Sequence, residues 1–379
     1  MGTAIESLEV DLEHDIDEQY QYQPGEILRG YISVTTSRQT FITKIYISIT
    51  GQGAVAWEDP QFGSFNANEE YINAKHSVED RGLNDPLLLV KGEHKFPFEY
   101  QLPDNLPSSF IGKFGSVTYV LKVIVNGEKS ETNITSEPFL VIRKAEIPEK
   151  SRKSESRSME QRFWGLCSTG KIKFDITIDK VGVCPGEDIY IQAEVANTSP
   201  LYITAVQASI VMNTLYHARK KLIPFRQVVN KRRDEQEMTH GDGRKWHNVR
   251  LTVPPYIPES NLDYCDIIEI SYSFQFRVEI SGGKELRAEI PLLIGSKPKG
   301  LEIPTTHNPL LNKNWGSPGD DIINNGNNQH EVDYSHEANE WHRGIVPELR
   351  PFDTTMKNPL FDNTGKADLP EEIIESSRL

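Results

Sequence analysis

The chain has few of the features that identify secreted, membrane-spanning or metal-binding proteins. Only three of its 379 residues are cysteine (Cys167, Cys184 and Cys265), too few and too scattered for a disulfide framework or a zinc site. No apolar run reaches the roughly 18 residues needed to cross a bilayer, and the first residues lack the apolar stretch of a secretory signal. Basic residues are in the minority, with 41 Lys and Arg against 55 Asp and Glu, which argues against a nucleic-acid partner. These absences predict a soluble, reduced, cytoplasmic protein.

Signatures of catalysis and of cofactor binding are missing as well. The sequence contains no Gly-x-Ser-x-Gly elbow and no His-Glu-x-x-His pair. Residues 51–56 resemble a dinucleotide-binding loop only superficially, because no helical pattern follows to hold a pyrophosphate. His217, His240 and His247 are close in sequence, but no acidic pair or cysteine completes a zinc set. We therefore predict no catalytic residue, no cofactor and no metal, and a protein that is not an enzyme.

The dominant pattern that is present is alternation of apolar and polar residues. The clearest case runs from Ile268 to Ile280, where every second side chain is apolar. Successive side chains of a strand point to opposite faces, so this pattern is typical of strands with one buried and one solvated face. Many such runs, separated by Pro and Gly turns, predict an all-β protein built of antiparallel sandwiches.

Two short segments occur twice in the same order, which indicates a duplicated domain. Residues 22–26 (YQPGE) are echoed by residues 183–187 (VCPGE), and the Pro-x-x-x-Pro element of residues 102–109 is echoed by residues 253–260. The repeat predicts two tandem domains over residues 1–145 and 167–298. Residues 146–166, rich in Lys, Arg, Glu and Ser, are predicted to be a linker between them.

Residues 299–379 have a different composition from the rest of the chain. The strand pattern stops, and residues 301–379 carry 14 acidic and 6 basic side chains among Asn-rich and Pro-containing stretches. Such a segment buries too little apolar surface to offset chain entropy, so it is predicted to be a disordered acidic tail.

The sequence resembles the α-arrestins, the arrestin domain-containing proteins. The resemblance lies in residues 87–116, in residues 184–187 and in residues 290–295, and it extends over roughly residues 5–298. It implies two immunoglobulin-like β-sandwiches, the arrestin N- and C-domains. It further implies a cytosolic adaptor that binds the cytosolic tails of membrane receptors or transporters and couples them to endocytic sorting and ubiquitination. Recruitment to the plasma membrane and to endosomes is part of the same expectation.

The resemblance leaves some alternatives open. Typical members of the family carry Pro-Pro-x-Tyr motifs in the tail for ubiquitin ligases, and this tail contains none. An arrestin-fold subunit of a sorting or coat complex, similar to retromer, is the second interpretation. A β-sandwich ligand-binding protein or enzyme is the third, although no cluster of aromatic residues indicates a binding platform.

Three groups of residues are candidates for partner binding. The outward face of the first strand carries Glu9, Asp11 and Glu13, which would repel the phosphate that some relatives bind at this strand. A basic cluster predicted to meet anionic lipid or an acidic cargo tail comprises Arg219, Lys220, Lys221, Lys231, Arg232 and Arg233. In the tail, Asn358, Pro359 and Phe361 form an Asn-Pro-x-Phe motif, which suits the groove of a phosphotyrosine-binding-type domain on an endocytic adaptor.

Overall fold

The computed structural model of the chain describes residues 4–13, 21–81, 85–127, 132–164, 169–255 and 257–296. Within these ranges it consists of strands and one short 3-10 helix, Glu149–Arg152, which confirms the all-β prediction. The strands form two antiparallel sandwiches in tandem. The predicted acidic tail lies outside the described residues.

The N-terminal sandwich pairs a three-stranded sheet with a seven-stranded sheet. The small sheet has the order β1-β3-β7, and the large one has the order β2-β10-β9-β4-β5, with β6 beside β4 and β8 beside β9. Its strands are β1 (Ile5–Glu13), β2 (Gln21–Tyr22), β3 (Ile27–Thr36), β4 (Thr40–Asp59), β5 (Gly63–Asp80), β6 (Leu87–Leu89), β7 (Gly92–Gln101), β8 (Phe110–Ile111), β9 (Gly115–Gly127) and β10 (Thr132–Val141).

The C-terminal sandwich repeats this plan, with one strand more in its small sheet and two fewer in its large sheet. Its sheets have the orders β11-β12-β14-β17 and β13-β19-β18-β15-β16. In both sandwiches a two-residue strand pairs in parallel with the last long strand, β2 with β10 and β13 with β19. The strands are β11 (Glu155–Trp164), β12 (Thr169–Ile178), β13 (Gly182–Val183), β14 (Asp188–Asn197), β15 (Ile203–Ala218), β16 (Lys221–Asp234), β17 (Gly243–Thr252), β18 (Ile268–Ile280) and β19 (Lys284–Ile294).

The alternation seen in the sequence places the core between the two sheets of each sandwich. On β4, Ile45, Ile47 and Ile49 are fully buried, while Tyr46 and Ser48 lie on the outer face. Burying one such aliphatic side chain contributes about 1.5–3 kcal/mol. The core therefore follows directly from the period of two in the sequence.

The structure differs from the predicted linker over residues 146–166. Residues 155–164 form β11, which pairs along its whole length with β12. Only Phe163 of its ten residues is buried, so side-chain alternation could not reveal the strand. Backbone hydrogen bonding to β12, and not burial of an apolar face, holds it in place.

The echoed turns make the same hydrogen bonds in both sandwiches. Gly25 and Gly186 have φ of 81° and 84°, a left-handed conformation that glycine adopts without strain. The carboxylate of Glu26 accepts a hydrogen bond from Gln23 N at 2.8 Å, and that of Glu187 accepts one from Cys184 N at 3.1 Å. The repeated Gly-Glu pair is therefore scaffold.

The second echo is fixed by a pair of buried tyrosines. The Tyr119 hydroxyl donates to Pro107 O at 2.7 Å, and the Tyr272 hydroxyl donates to Pro258 O at 2.8 Å. Each bond ties the Pro-x-x-x-Pro loop to the facing long strand, β9 in one sandwich and β18 in the other. The duplicated sequence thus folds twice into the same loop.

Candidate partner-binding surfaces

The edge of the small N-terminal sheet is the first candidate surface. In the described part of the chain, β1 is the end strand of its sheet and is paired in the ladder with β3. The Tyr22 hydroxyl donates to Glu13 O at 3.0 Å, which occupies the last carbonyl of the strand. An end strand of this kind accepts an added strand through its main chain.

The C-terminal sandwich carries a strand at the corresponding place. There β12, which pairs with β14 as β1 pairs with β3, is covered on its other side by β11. The pair is antiparallel and polar: the hydroxyls of Ser156 and Thr177 lie 2.8 Å apart, and Lys171 Nζ lies 2.9 Å from a Glu160 carboxylate oxygen. In the C-terminal copy the chain therefore supplies its own edge strand, and the described N-terminal sheet ends at β1.

The outer row of β1 is acidic, as the sequence predicted. Glu9, Asp11 and Glu13 are exposed, while Val10 and Leu12 between them are buried. The nearest basic side chain on the row, Arg29 of β3, is 3.0 Å from the Glu99 carboxylate of β7. The edge therefore presents negative charge to whatever strand approaches it.

The two sandwiches meet through equivalent positions of the duplicated sequence. Ser108 donates a hydrogen bond to the Glu259 carboxylate, and Ala145 N donates to Ser296 Oγ at 2.7 Å; both pairs are 151 residues apart. That separation matches the offset between the two Pro-x-x-x-Pro loops. Contact between equivalent positions is the property of a two-fold interface, so the two copies pack as a covalently joined pseudo-dimer.

Aromatic side chains and one buried acid complete this interface. Tyr216 is fully buried, and its ring meets Phe114 edge-on at 5.6 Å. Burial raises the pKa of Glu259 above its usual range; the hydrogen bond from Ser108 opposes that rise, and the nearby charge of Asp263 adds to it. The buried Glu259 therefore holds its proton more tightly than an exposed glutamate does.

The structure divides the predicted basic cluster into two groups at opposite ends of β16. Arg219 and Lys220 form the β15–β16 turn, and the ammonium of Lys221 lies 5.0 Å from the Phe62 ring centre. Lys231 and Arg232 lie at the far end of the strand. Lys221 and Lys231 are ten positions apart along the strand, a distance of about 33 Å.

Arg233, the last residue of the cluster, forms ion pairs with carboxylates of its own sandwich, on the outer face of the sheet. Two of its nitrogens contact the Glu279 carboxylate at 2.7 Å each, and Glu235 lies at 3.0 Å. These pairs extend across the outer face of the sheet in an alternating network. Its other members are Arg277, Glu285, Arg287, Glu289 and Arg226. Of the six residues of the predicted cluster, Arg233 alone pairs with carboxylates among the described residues, and the other five are exposed.

The remaining predicted features add no further site. The Asn358, Pro359 and Phe361 motif lies outside the described residues. Cys184 and Cys265 are both buried and form no disulfide with each other, and Cys184 Sγ lies 3.3 Å from Ser296 O. In the described ranges no group of three or more His, Cys, Asp or Glu side chains is arranged to hold a metal ion, and no helix has the length and apolarity to cross a membrane.

Some surface residues brought together by the fold could not have been grouped from sequence. Lys75, Ser48 and Lys122 lie side by side on three neighbouring strands. They are far apart along the chain, and no motif connects them. Only the strand register, which cannot be read from a local sequence pattern, reveals the row.

Comparison with known proteins agrees with this architecture. The model of Arrestin (or S-antigen), N-terminal domain, matches residues 10–148, and that of Arrestin (or S-antigen), C-terminal domain, matches residues 168–299. Arrestin domain-containing protein 4 of Homo sapiens is 27% identical over 290 residues, which cover 73% of this chain and 68% of that protein. Arrestin domain-containing protein 1 of Rattus norvegicus is 24% identical over 283 residues, covering 73% of this chain and 61% of that protein.

Two tandem antiparallel sandwiches, with matching turns and a shared pseudo-two-fold interface, define the class of arrestin-fold proteins. The chain belongs to the arrestin family, and its relatives place it among the arrestin domain-containing proteins, the α-arrestins. Membership supports a role as an adaptor that binds partner proteins.

Proposed function

We propose that the protein is a non-enzymatic cytoplasmic adaptor that binds the cytosolic tails of membrane receptors or transporters. It would couple them to endocytic sorting and ubiquitination, with recruitment to the plasma membrane and endosomes. Its family membership supports the adaptor role, and its relatives favour this interpretation over a fixed subunit of a retromer-like complex. The observation that carries the proposal is the edge of β1.

The cargo tail would add to the small N-terminal sheet as a strand beside β1. The C-terminal copy supplies the template, because β11 occupies the same place beside β12 in antiparallel orientation. Backbone hydrogen bonds give affinity in such a complex, and alternate side chains give specificity. In the template, Ser158 faces Asp175 and Ser156 faces Thr177 across the pair, so these polar positions of β12 meet polar partners.

The charge of β1 selects the kind of tail. By the correspondence of the two copies, Glu9 and Asp11 stand where Asp175 and Thr177 stand on β12. A strand that faces these carboxylates gains from Lys or Arg at alternate positions and loses from phosphate. Cytoplasmic segments next to membrane spans are enriched in Lys and Arg, so such tails are common on receptors and transporters.

Two further contacts complete the proposal. The turn residues Arg219, Lys220 and Lys221, with Lys231 and Arg232 at the other end of β16, would meet anionic lipid or acidic cargo. Unchanged binding to anionic vesicles after Lys231, Arg232 and Arg233 are replaced by Ala would refute the contribution of the far end.

The Asn358, Pro359 and Phe361 motif would recruit an endocytic adaptor, which a fluorescence titration of a peptide spanning residues 352–366 checks directly. Ubiquitin ligases would join without a Pro-Pro-x-Tyr motif in the tail.

A peptide titration tests the carrying observation. Peptides matching the ten-residue length of β11, with Lys or Arg at alternate positions, are titrated against the full chain and compared with phosphorylated versions of the same peptides. We expect the basic peptide to bind and the phosphorylated one to bind more weakly. Replacing Glu9 and Asp11 with Lys should weaken binding about tenfold, since each exposed charge pair contributes up to about 1 kcal/mol.

The matched control changes the same charge on the other edge of the same sheet. Glu93→Lys with Glu99→Lys on β7 alters the charge equally but leaves β1 intact. Equal losses in both double variants would show that peptide binding responds to net charge alone. Preference for the phosphorylated peptide would contradict the proposal outright.

A further inference from the structure

The outer face of the large N-terminal sheet differs in charge from the β1 face. On β1, β3 and β7 the outward side chains include five carboxylates, Glu9, Asp11, Glu13, Glu93 and Glu99, against the basic residues Arg29 and Lys95. On β5, β4 and β9 they include three lysines, Lys44, Lys75 and Lys122, and three carboxylates, Glu58, Glu70 and Asp80. The β1 face is therefore acidic, whereas the other outer face carries equal numbers of basic and acidic side chains.

Two of these lysines flank a serine at one level of the sheet. In the strand register, Ser48 of β4 is opposite Lys75 of β5 on one side and opposite Lys122 of β9 on the other. Neighbouring strands are about 4.8 Å apart, so the two lysine Cα atoms are about 10 Å apart with the hydroxyl midway. Flexible lysine side chains at this spacing can bring both ammonium groups over the Ser48 hydroxyl.

These two lysines have no acidic partner in the described part of the chain. Lys44, by contrast, lies 2.9 Å from the Asp80 carboxylate, and no such contact within 4 Å is made by Lys75 or Lys122. Both side chains are exposed. Their positive charge is therefore available to a ligand.

The corresponding face of the C-terminal sandwich makes the contrast clear. There most outward charges on β16, β18 and β19 pair arginine with glutamate, as in the Arg233–Glu279 and Arg277–Glu285 pairs, while Lys231 is exposed without an acidic partner among the described residues. The C-terminal face thus pairs most of its charges internally, whereas Lys75 and Lys122 on the N-terminal face stay unpaired in the described chain. The difference points to an external anion on the N-terminal face.

The surroundings of the row fit a phosphate on a lipid headgroup. A shallow, open depression of about 380 Å³ adjoins the row and is lined by Lys44, Tyr46, Lys75, His76, Ser77 and Asn126. All six side chains carry a group able to donate a hydrogen bond. Across the sheet, Ile134 of β10 is 63% exposed beside these polar groups, which suits contact with the apolar edge of a bilayer.

We propose that this face docks on an anionic membrane, with a phosphomonoester of an inositol-phosphate headgroup held over Ser48 by Lys75 and Lys122. Two ammonium groups balance the charge of about −2 that a phosphomonoester carries. The acidic face on the opposite side of the sandwich is repelled by the same bilayer, so the domain docks in one orientation. This site is separate from the β1 edge and does not require a cargo tail.

Vesicle sedimentation with the full chain tests the proposal. Phosphatidylcholine vesicles contain either a phosphatidylinositol bisphosphate or phosphatidylserine, adjusted to equal total charge. We expect tighter binding to the phosphoinositide vesicles than to the phosphatidylserine vesicles. The Lys75→Gln, Lys122→Gln double variant should lose about thirtyfold in affinity for the phosphoinositide vesicles, because each basic residue contributes about tenfold or less. Ser48→Ala should remove most of the preference for phosphoinositide and keep the binding to phosphatidylserine.

The control is a second pair of exposed lysines on a strand. Lys171→Gln with Lys173→Gln removes the same charge, but both residues already have acidic partners, Glu160 at 2.9 Å and Asp175 at 2.7 Å. Unaltered melting temperatures confirm that each variant is folded. The control variant should bind vesicles as the unmodified chain does.

Three results would overturn the proposal. The first is unchanged vesicle binding in the Lys75 and Lys122 variant. The second is a loss of binding confined to an Arg219→Gln, Lys220→Gln variant of the β15–β16 turn, which would assign membrane contact there. The third is stronger binding of a soluble phosphoserine peptide than of the vesicles to the Lys75–Ser48–Lys122 row, which would make a protein the source of the phosphate.

Discussion

The two sandwiches are copies of one plan, and they differ most at the first strand. Both use a left-handed Gly before a capping Glu, a tyrosine bonded to a proline carbonyl, and a short parallel strand beside the last long one. The C-terminal copy covers its first strand β12 with β11, whereas β1 ends the N-terminal sheet among the described residues. Shared features are scaffold, and the differing edge is where binding is expected.

The outer faces of the two large sheets also differ, in how far their charged side chains are ion-paired. The C-terminal face carries a self-neutralising network of arginine and glutamate. The N-terminal face leaves Lys75 and Lys122 without acidic partners in the described chain. Among the described residues, the C-terminal copy covers its first strand with β11 and pairs most charges of its outer face, whereas β1 ends its sheet and Lys75 and Lys122 have no acidic partner.

The largest change in the free energy of unfolding is expected from removing the tyrosine hydroxyls that fix the Pro-x-x-x-Pro loops of the two sandwiches. Tyr119→Phe and Tyr272→Phe each remove one hydrogen bond and leave a proline carbonyl without its donor. Each change should lower the free energy of unfolding by about 1–2 kcal/mol. Chemical denaturation measures both.

A tyrosine on the outer face supplies the control for these changes. Tyr46→Phe should alter the free energy of unfolding by no more than about 0.5 kcal/mol, because Tyr46 lies outside the core. A marked inequality between the Tyr119 and Tyr272 variants would break the equivalence of the two loops.

A smaller effect is expected at the junction of the copies. The pKa of Glu259 is raised in the folded state, mainly by burial, so the folded chain holds this proton more tightly than the unfolded chain does. Stability from this group is therefore greatest at low pH and declines as pH rises through the raised pKa. Glu259→Gln should remove that decline and give a chain at least as stable at neutral pH.

The measurement is the free energy of unfolding as a function of pH for the two proteins. Glu137→Gln is a suitable control, since Glu137 is also a buried acid but lies within the N-terminal sandwich. A pH dependence that persists unchanged in the Glu259 variant would remove this residue from the account.

Much of the fold was predictable because its causes are local. Alternation identified the strands, and the repeated Pro-Gly-Glu turns identified two copies in tandem. Strand β11 was not predicted because nine of its ten side chains are not buried and show no apolar period, and it is held mainly by backbone pairing with β12. Sequence patterns report side-chain burial, not main-chain pairing.

The candidate surfaces were less predictable because they depend on register. The acidic row of β1 was predictable, since alternate residues of one strand must share a face. The basic cluster was predicted as one patch, but the structure places its residues at the two ends of β16. Arg233 pairs with Glu279, which is 46 residues further along the chain. The Lys75–Ser48–Lys122 row required three strands to align, which no single segment encodes.

The N-terminal copy is expected to take a basic strand at β1, where the C-terminal copy has β11. Hydrogen–deuterium exchange of the full chain, with and without the alternating basic peptide, tests this expectation. We expect slower exchange of β1 amides on peptide addition and no change in β12, whose edge β11 already covers. Protection that appears at β12 or at another sheet edge, with β1 unchanged, would contradict it.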